Sequence, residues 1–502
     1  MSDLIGAIDQ GTQSTRLIVF DKKGEVVVKF QKEHKQITPQ EGWVEHDPEE
    51  IMESVVACME GVTVQLASNG YAISDLKGIG ITNQRETTVV WDRKTGKPLH
   101  NAIVWLDTRT HDTCEKLSEL YGGRHCFRKL CGLPVSTYFS GVKLKWLLDN
   151  KPEIRAKAEK GEVCFGTIDS WIIFNLCDRL HITDVTNASR TMLMNINTCE
   201  WDPELCRSFG VPLSMLPEIR SSSEVYGQIA HGSLVGTPIS GCLGDQQSAC
   251  VGHCAFSVGD SKNTYGSGCF MLLNTGTKPV FSENGLLTTV CYKLGPEAKP
   301  VYALEGSVAI AGVGVSWLKD NLGLMKSASE SEEIAGSVED TGGVYLVPAF
   351  SGLFAPYWRE DARGVIIGLT QYTQRAHIVR AMLEAVCFQT ADIVDAMIKD
   401  SGTTLTKMTV DGGMTANDLL MQLQADTINA KVMRPSMGES TALGAALAAG
   451  LAVGVWDSVE DMNRMQEAAC NYTEFVPKLQ PEVIAARKVK WHDAVQRSLN
   501  WT

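Results

Sequence analysis

The sequence lacks the common signatures of nucleotide and metal sites. It contains no GxxxxGK[ST] loop, no GxGxxG turn between a strand and a helix, and no HRD or DFG motif. Its 15 cysteines include no CxxC pair, and no second cluster completes the motif CVGHC (250–254) as a zinc site. We therefore expect reduced, buried thiols, and any nucleotide must bind to a different arrangement of loops.

Long apolar runs and excess positive charge are also lacking. The longest apolar stretch, ALGAALAAGLAVGV (442–455), is too short to span a bilayer and predicts a buried helix. The N-terminus, MSDLIGAIDQ, has no basic region, so we expect no signal peptide and no membrane insertion. The net charge of −13 disfavours nucleic acid as a partner. The cytoplasm is therefore the expected compartment.

The sequence does contain a regular alternation of strand-like and helix-like segments. LKGIGITNQRETTVVWD (76–92) predicts a strand, a polar corner and a second strand. AHIVRAMLEAVCFQTADIVDAMIKDSG (376–402) has apolar residues at helical spacing and ends on Gly402, a typical helix C-cap. LTKMTVDGGMTANDLLMQLQADTI (405–428) predicts a strand, a glycine turn and a helix. This alternation is typical of an α/β protein.

The chain is long enough for two domains. It has 502 residues, 44% of them hydrophobic, which is sufficient for two separate cores. The polar stretch FSVGDSKN (256–263) is the best candidate boundary and divides the chain into 1–255 and 256–502. NTYGSGCFMLLNTG (263–276) repeats the layout of IGAIDQGTQSTRLIVFD (5–21), with glycines and small polar residues between apolar segments. The repeat predicts two related domains that face each other.

Two glycine-containing turns are candidates for phosphate binding. Asp9 ends the first apolar run and is followed by GTQS (11–14), whose N–H groups and hydroxyls suit an anion, while the carboxylate suits Mg²⁺. The alternative is an ordinary polar hairpin with a solvated aspartate. VDGGMTAND (410–418) places two glycines between a strand and a helix, which leaves space for a base or a phosphate. The alternative there is a simple strand–helix turn.

Nine motifs in the sequence resemble those of the FGGY family of carbohydrate kinases. They keep the family's order along the chain, from about residue 4 to about residue 455. The motifs are DQGTQSTR, GITNQRET, VSTYFSGVKLKWLLDN, GTIDSW, DVTNASRT, GDQQSA, NTYGSGCF, YALEGS and VDGGMTAN. The resemblance implies an α/β protein with an actin-like ATPase fold, in which two RNase H-like domains surround a central cleft.

The resemblance also implies a polyol site with a catalytic base. Asp245 would be the base, Arg85 and Glu86 would bind the terminal and middle hydroxyls, and Trp105 and Phe270 would form an apolar wall. The implied substrate-binding residues are Arg85, Glu86, Trp105, Tyr138, Asp245, Gln246 and Phe270. The alternatives are an exposed ion pair for Arg85–Glu86, core packing for the two aromatic side chains, and a helix N-cap for Asp245; from the residues alone, core packing is preferred for the aromatic pair.

The nucleotide site implied by the resemblance draws on both halves of the chain. Its residues are Thr12, Gln13, Ser14, Arg16, Ser267, Gly312, Ser316, Gly413 and Asn417. Asp9 and Asp245 would lie near a Mg²⁺ ion. The sequence departs from the family pattern at Gln13, Ser267 and Ser316, all on the nucleotide side.

The motifs resemble most closely the branch of the family that acts on glycerol. This implies ATP-dependent phosphorylation of glycerol to sn-glycerol 3-phosphate, by an enzyme that forms a homodimer or a homotetramer. Two alternatives stay open at this point. One is a kinase for another sugar or polyol, and the other is a non-enzymatic actin-like ATPase, which would keep the phosphate loops without a polyol pocket.

Overall fold

The computed structural model describes residues 3–502 and contains two large mixed β-sheets. In chain order the strands are β1 (Leu4–Gln10), β2 (Ser14–Phe20), β3 (Val26–Glu33), β4 (Glu45–His46), β5 (Leu76–Asn83), β6 (Val89–Asp92), β7 (Ala102–Ile103), β8 (Val163–Gly166), β9 (Ile182–Asp184), β10 (Met194–Asn195), β11 (Glu200–Trp201), β12 (Glu218–Arg220), β13 (Ser223–Gln228), β14 (Pro238–Gly244), β15 (Ser261–Tyr265), β16 (Cys269–Gly276), β17 (Leu287–Tyr292), β18 (Val301–Val308), β19 (Tyr345–Val347), β20 (Val365–Ile367), β21 (Lys407–Asp411), β22 (Lys431–Pro435) and β23 (Tyr472–Phe475).

Helices cover the sheets and form most of the connections between them. In chain order they are α1 (Pro48–Ser68), α2 (His111–Tyr121), α3 (Arg128–Cys131), α4 (Ser140–Asn150), α5 (Pro152–Glu159), α6 (Ile168–Leu176), α7 (Val185–Ala188), α8 (Pro203–Phe209), α9 (Asp245–Gly252), α10 (Gly312–Asp320), α11 (Glu330–Gly336), α12 (Arg375–Ser401), α13 (Asp418–Ile428), α14 (Ser440–Ala452), α15 (Val459–Ala469) and α16 (Pro481–Ser498). Short 3₁₀ turns occupy Ile73–Asp75, Leu213–Met215 and Gly413–Ala416.

The first sheet brings three strand ends to one edge. Its order is β13-β14-β5-β1-β2-β3, in which β1, β5 and β14 are parallel neighbours. Asp9 on β1 is opposite Thr82 on β5, and Asn83 on β5 is opposite Gly244 on β14. Because the carboxyl ends of parallel strands share an edge, the loops that follow these strands are neighbours.

The second sheet repeats the topology of the first. Its order is β17-β18-β16-β15-β21-β22-β23, so that three antiparallel strands are again followed by two parallel strands and an antiparallel edge strand. β17 is an additional strand at the opposite edge. The predicted relation between the hairpins at 5–21 and 263–276 is therefore confirmed in the topology. Each is an antiparallel hairpin whose first strand, β1 or β15, also pairs in parallel with the next strand of its sheet.

The alternation of side chains along β1 explains why the first sheet is covered on both faces. All seven residues of β1 are buried. Leu4 and Ile8 pack in the core that contains α1, whereas Ile5 and Ala7 pack in the core that contains α14. Strands buried on both faces read as continuous apolar runs, as this one does.

The helix α14 comes from the second half of the chain but packs on the first sheet. It contacts β1, β5 and β14, and it lies so close to α9 that a Cβ on Gly444 would be 1.8 Å from the carbonyl oxygen of Ser248. The predicted buried helix in ALGAALAAGLAVGV is confirmed, and its small residues permit this approach. The division of the chain between residues 255 and 256 remains a prediction.

Several local predictions are confirmed as well. The segment 76–92 forms β5, a corner and β6, and α12 ends where Gly402 adopts a left-handed conformation with a φ of 68°. The segment 405–428 forms β21, a glycine turn and α13. Among the residues described, one helix, α1, has the length and the apolar composition needed to cross a membrane. In this structure α1 packs against β2 and β3.

Candidate active site

The corner after β5 turns two adjacent charged side chains into the protein. Glu86 has a φ of 61°, a left-handed conformation that non-glycine residues rarely adopt and that commonly marks a functional site. Only 3% of Arg85 and 1% of Glu86 is exposed. The interpretation of this pair as an exposed ion pair is therefore wrong, because the broken strand alternation directs both side chains inward.

Arg85 and Glu86 belong to a buried network of four charges. Arg85 binds Glu305 through two hydrogen bonds of 2.6 and 2.8 Å. Arg190 donates to Glu86 at 2.6 Å and to Glu305 at 3.2 Å. Arg190 and Glu305 are fully buried, and the network joins the first half of the chain to β18 of the second.

Sequence reasoning missed Arg190 and Glu305 as site residues. Both stand inside the motifs DVTNASRT and YALEGS, which were noted only for their resemblance. A glutamate in the otherwise apolar strand β18 is the signal that could have indicated a buried partner, since charged residues are almost never fully buried unless paired.

The two glutamates of the network have opposite pKa shifts. Burial raises the pKa of Glu305, but Arg190 and Arg85 outweigh burial and lower this pKa to about 2. Burial raises the pKa of Glu86, and Arg190 and Arg85 offset only part of that effect. Within residues 3–502 one oxygen of Glu86 accepts from Arg190 and the other makes no hydrogen bond, so it is open to a ligand hydroxyl.

Three aromatic rings stand beside this network. The ring of Trp105 meets that of Tyr138 at 5.7 Å and that of Phe270 at 6.1 Å, both edge to face. The three residues border a cavity of about 800 Å³ that also reaches Glu305. Trp105 and Phe270 are therefore only partly buried, and the interpretation of the two as core residues is wrong.

Asp245 follows β14 at the same edge of the sheet. Gly244 is the N-cap of α9 and Asp245 is the first residue of that helix, so the interpretation of Asp245 as the cap is wrong. Its Oδ1 lies 3.2 Å from Nε of Arg85 and accepts a hydrogen bond of 2.7 Å from the backbone N–H of Gln246. About one third of the side chain, 33%, is exposed, which leaves the carboxylate accessible from the cleft.

The end of β1, just before the turn GTQS (11–14, called here the first loop), provides a second carboxylate, Asp9. Burial raises the pKa of Asp9, Arg16 opposes this, and the charges of Asp245 and Glu439 add to the increase. Arg16 contacts Asp9 and also donates to Glu439 at 2.8 Å. A cation near Asp9 and Asp245 would relieve their mutual repulsion, and carboxylate oxygens are the ligands that Mg²⁺ prefers.

The first loop is joined to the aromatic wall by one hydrogen bond. The indole N–H of Trp105 donates to Oγ1 of Thr12 at 3.0 Å. Ser14 Oγ instead accepts from Gln31 at 3.1 Å, and Gln13 is exposed. Thr12 therefore contacts a residue that was predicted for the polyol site.

The remaining predicted nucleotide residues come together in a separate cavity of about 480 Å³. The residues predicted for the nucleotide that line it are Ser267, Gly312, Ser316, Gly413 and Asn417. Its walls depend on close backbone packing, since a Cβ on Gly312 would lie 2.7 Å from the carbonyl oxygen of Gly266. Asn417 caps α13 through a 2.8 Å bond from the N–H of Leu420. Thr12, Gln13, Ser14 and Arg16 do not line this cavity.

A buried group of potential metal ligands lies near the end of β14, and its carboxylate oxygens already accept hydrogen bonds from the protein. Within residues 3–502, ligand atoms of Asp169, Asp184 and Cys242 approach within 4.8 Å of one another. The oxygens of Asp184 accept from Ser222 and from α7, and burial, reinforced by Asp169, raises its pKa to about 7. Thr186 of α7 in turn accepts from the N–H of Gly244 at 2.9 Å, so this cluster supports the strand end before Asp245.

The fold and the site define a class of protein: a two-lobed α/β kinase of the actin-like type, with a cleft between related domains. The chain belongs to the FGGY family of carbohydrate kinases. The family's N-terminal domain matches residues 4–252 and its C-terminal domain matches residues 261–453.

Curated relatives and solved structures agree with this assignment. The chain is 53% identical to glycerol kinase 2 of Streptomyces avermitilis, over 99% of this chain and 97% of the relative. It is 54% identical to a glycerol kinase of Nocardia farcinica over the full length of both. The crystal structure of Plasmodium falciparum glycerol kinase with ADP has a TM-score of 0.93 and 45% identity, and covers 99% of this chain and 98% of that one. The crystal structure of a xylulose kinase of Lactobacillus acidophilus has a TM-score of 0.86, and the match covers 98% of this chain and 97% of that one. At 21% identity this likeness shows the fold alone.

Proposed function

We propose that this protein phosphorylates glycerol with ATP and releases sn-glycerol 3-phosphate and ADP. The observation that carries the proposal is the buried Arg85–Glu86 corner beside Asp245, a donor, an acceptor and a candidate base at one edge of the sheet. Full-length relatives with 53% and 54% identity are named glycerol kinases, which supports the same substrate. The activity is ATP:glycerol 3-phosphotransferase.

The proposed glycerol site recognises hydroxyl groups by paired donors and acceptors. Arg85 donates, the free oxygen of Glu86 accepts, and Tyr138 supplies a hydroxyl. Trp105 and Phe270 cover the carbon chain. A substrate that lacks one hydroxyl would leave a buried polar group unpaired, at a cost of about 1–3 kcal/mol.

Asp245 is the proposed general base. It accepts the proton of the reacting hydroxyl while the oxygen attacks the γ-phosphorus in line and the bond to ADP breaks. A carboxylate is a far weaker base than an alkoxide. This is sufficient because the transition state of phosphoryl transfer is loose, so that positioning and charge stabilisation provide most of the rate.

Mg²⁺ is the proposed metal, with Asp9 and Asp245 as the carboxylates near it. When bound, it would neutralise the negative charge that develops on the phosphate oxygens. Removal of divalent cations by EDTA should abolish turnover, and added Mg²⁺ should restore it.

The proposed nucleotide site combines the segment that runs from the first loop into β2 with the cavity of about 480 Å³. Thr12, Gln13, Ser14 and Arg16 would contact phosphates, and the cavity of about 480 Å³ would hold the remainder of the nucleotide. Serine at 267 retains a hydroxyl where the family has threonine. Gln13 and Ser316 change the side chains available to the nucleotide, so we expect altered ATP affinity and an unchanged glycerol site.

A coupled ADP-release assay across a panel of polyols tests the function. Glycerol should be the preferred substrate, and hydrolysis of ATP without glycerol should be slow. Preference for xylulose or another sugar would instead favour the alternative of a kinase for another sugar or polyol. ATP hydrolysis that is equally fast without any polyol would favour an actin-like ATPase.

Three further properties are proposed from the family resemblance. The enzyme would act in the cytoplasm, as a homodimer or a homotetramer, with its domains divided between residues 255 and 256. Light scattering during gel filtration measures the assembly, and cell fractionation measures the compartment. Limited proteolysis should cut within 256–263 if this stretch joins two units.

A further inference from the structure

Lys262 is a buried cation beside the first turn of α9. The residue lies on β15 with 0% of its surface exposed, and no acidic side chain of residues 3–502 lies within 4.0 Å of its ammonium group. Its hydrogen-bond partners are all neutral: Oε1 of Gln246, Oγ1 of Thr264 at 3.0 Å, and the carbonyl oxygen of Phe270 at 3.3 Å. The charge of Lys262 helps to lower the pKa of Glu305 and of Asp411, so two carboxylates act on it from beyond ion-pair distance, while its direct contacts are all to neutral groups.

The contact with Lys262 determines the orientation of the Gln246 amide. An ammonium group only donates hydrogen bonds, so the atom that faces it must be the amide oxygen. The amide NH₂ then points elsewhere, and within residues 3–502 it has no hydrogen-bond acceptor. Gln246 is 9% exposed, and the exposed part includes its NH₂ group, which is therefore accessible to a ligand.

We propose that Lys262 is a positioning residue that makes Gln246 a hydrogen-bond donor toward the substrate. The inference rests on the proposed glycerol site and deepens it. Gln246 follows Asp245 directly, and its NH₂ group requires an oxygen acceptor, which a hydroxyl of glycerol provides. Without Lys262 the amide can rotate by half a turn and present its oxygen to the same hydroxyl, so the direction of this hydrogen bond, and with it the position of the hydroxyl, is no longer fixed.

A second buried lysine in the chain provides a matched control. Lys143 is also 0% exposed, but its ammonium group donates to backbone carbonyls of Thr137 at 2.8 Å and Tyr138 at 2.5 Å. These bonds hold the backbone of 137–139 before α4, including that of Tyr138, and Lys143 makes no hydrogen bond to a side chain of the site. Loss of Lys143 should lower stability without a change in substrate selectivity.

The test is a selectivity measurement on purified full-length protein. kcat/KM is determined for glycerol, propane-1,2-diol and propane-1,3-diol, each diol lacking one hydroxyl. Lys262→Met should lower kcat/KM for glycerol about 3- to 10-fold, mainly through KM, because the hydrogen bond from Gln246 to the substrate is no longer held in one direction. The ratio of glycerol to one of the diols should fall by a similar factor. Lys143→Met should leave both ratios at the wild-type values.

A double-mutant cycle separates positioning from a structural role. If Lys262 acts through Gln246, then Lys262→Met combined with Gln246→Leu should show the same ratio as Gln246→Leu alone. Gln246→Glu keeps a partner for the lysine but removes the NH₂ group, so its ratio should match that of Gln246→Leu.

Three results would overturn the inference: a wild-type ratio in Lys262→Met, additive effects in the cycle, or a wild-type ratio in Gln246→Glu. The last variant retains the lysine and decides the question even if Lys262→Met does not fold. Failure of the proposed function itself would be distinct, since the wild-type protein would then not phosphorylate glycerol at all.

Discussion

The two cavities at the centre of the molecule are built in different ways. The cavity of about 800 Å³ is bordered by Trp105, Tyr138 and Phe270 and reaches Glu305, a member of the network of four charges that also holds Arg85 and Glu86. The cavity beside β21 is formed by glycines and helix ends, and Gly412 reaches a φ of 92° next to the backbone of Tyr265. Side chains shape the first cavity, and close backbone packing shapes the second.

This difference follows from what each cavity is proposed to bind. A triol is small and uncharged, so only donors and acceptors at fixed positions distinguish it from similar molecules. A nucleotide is large and anionic, and backbone N–H groups with space around them suffice to hold it. The first pocket should therefore respond strongly to changes of side chain, and the second to changes of volume.

The largest effect is expected where the charge network is broken. Glu305→Gln leaves Arg85 and Arg190 without their shared carboxylate and should lower the free energy of unfolding by about 3–5 kcal/mol, as for other buried ion pairs. Urea unfolding of both proteins measures it. As a control, Glu474→Gln removes a half-exposed partner of Lys431 and should cost at most about 1 kcal/mol. Equal losses in the two variants would contradict the comparison.

The same network should make stability sensitive to acid. The pKa of Glu305 is about 2 in the folded protein, below its ordinary value of 4.5, so the unfolded chain takes up this proton first. Its contribution to stability is therefore complete above pH 4.5 and is lost as the pH falls towards 2. Between these values the wild-type protein should lose more stability than Glu305→Gln. Parallel curves for the two proteins would show that Glu305 is not the group that titrates.

The next effect concerns Asp245, which lies 3.2 Å from Arg85 at the edge of the charge network. Asp245→Asn should lower kcat by about 10²–10⁴, the usual contribution of a positioned general base. Glycerol affinity should be nearly kept, because Asn still presents an oxygen to Arg85. Steady-state kinetics and calorimetric titration of glycerol measure the two quantities. Near-normal turnover would assign Asp245 a structural role.

A pair of glycine substitutions tests the backbone character of the second cavity. Gly312→Ala places a Cβ 2.7 Å from the carbonyl oxygen of Gly266 and should cost about 1–3 kcal/mol of stability. A Cβ on Gly413 has nothing within 4 Å, so Gly413→Ala should leave Tm unchanged. Both should raise KM for ATP and leave KM for glycerol near its wild-type value. An unchanged KM for ATP in Gly413→Ala would place the nucleotide elsewhere.

The smallest effect concerns the single bond that joins the first loop to the aromatic wall. Thr12→Val leaves the indole N–H of Trp105 without its acceptor and should weaken glycerol binding by about 2- to 10-fold even without nucleotide. Ser14→Ala on the same loop does not touch Trp105 and should leave that affinity unchanged. Isothermal titration calorimetry with glycerol compares the two variants. Equal affinities would show that the hydrogen bond between Trp105 and Thr12 does not contribute to glycerol binding.

Local features of the fold were predictable because they are encoded in local patterns. The spacing of apolar residues in 376–402 indicates a helix, Gly402 marks its end, and the polar break in 76–92 indicates a corner. The motifs also identified Arg85, Asp245 and Gly413 as candidate site residues from their residue types. What the motifs did not provide was the burial of these groups, so the alternatives of a cap at Asp245 and a surface pair at Arg85–Glu86 stayed open until the structure excluded them.

By itself, the sequence determined the alternation of strands and helices, the two glycine turns and the set of residue types that chemistry requires. Only the tertiary structure decided which of these residues meet. Arg85 and Glu305 are separated by 220 positions, and α14 leaves the second half to pack on the first sheet. Local periodicity carries no information about such pairs, because the energy of a buried charge depends on the partner that packing brings to it. The same packing aligns the carboxyl ends of β1, β5 and β14 and so places Asp9, Arg85 and Asp245 at one edge.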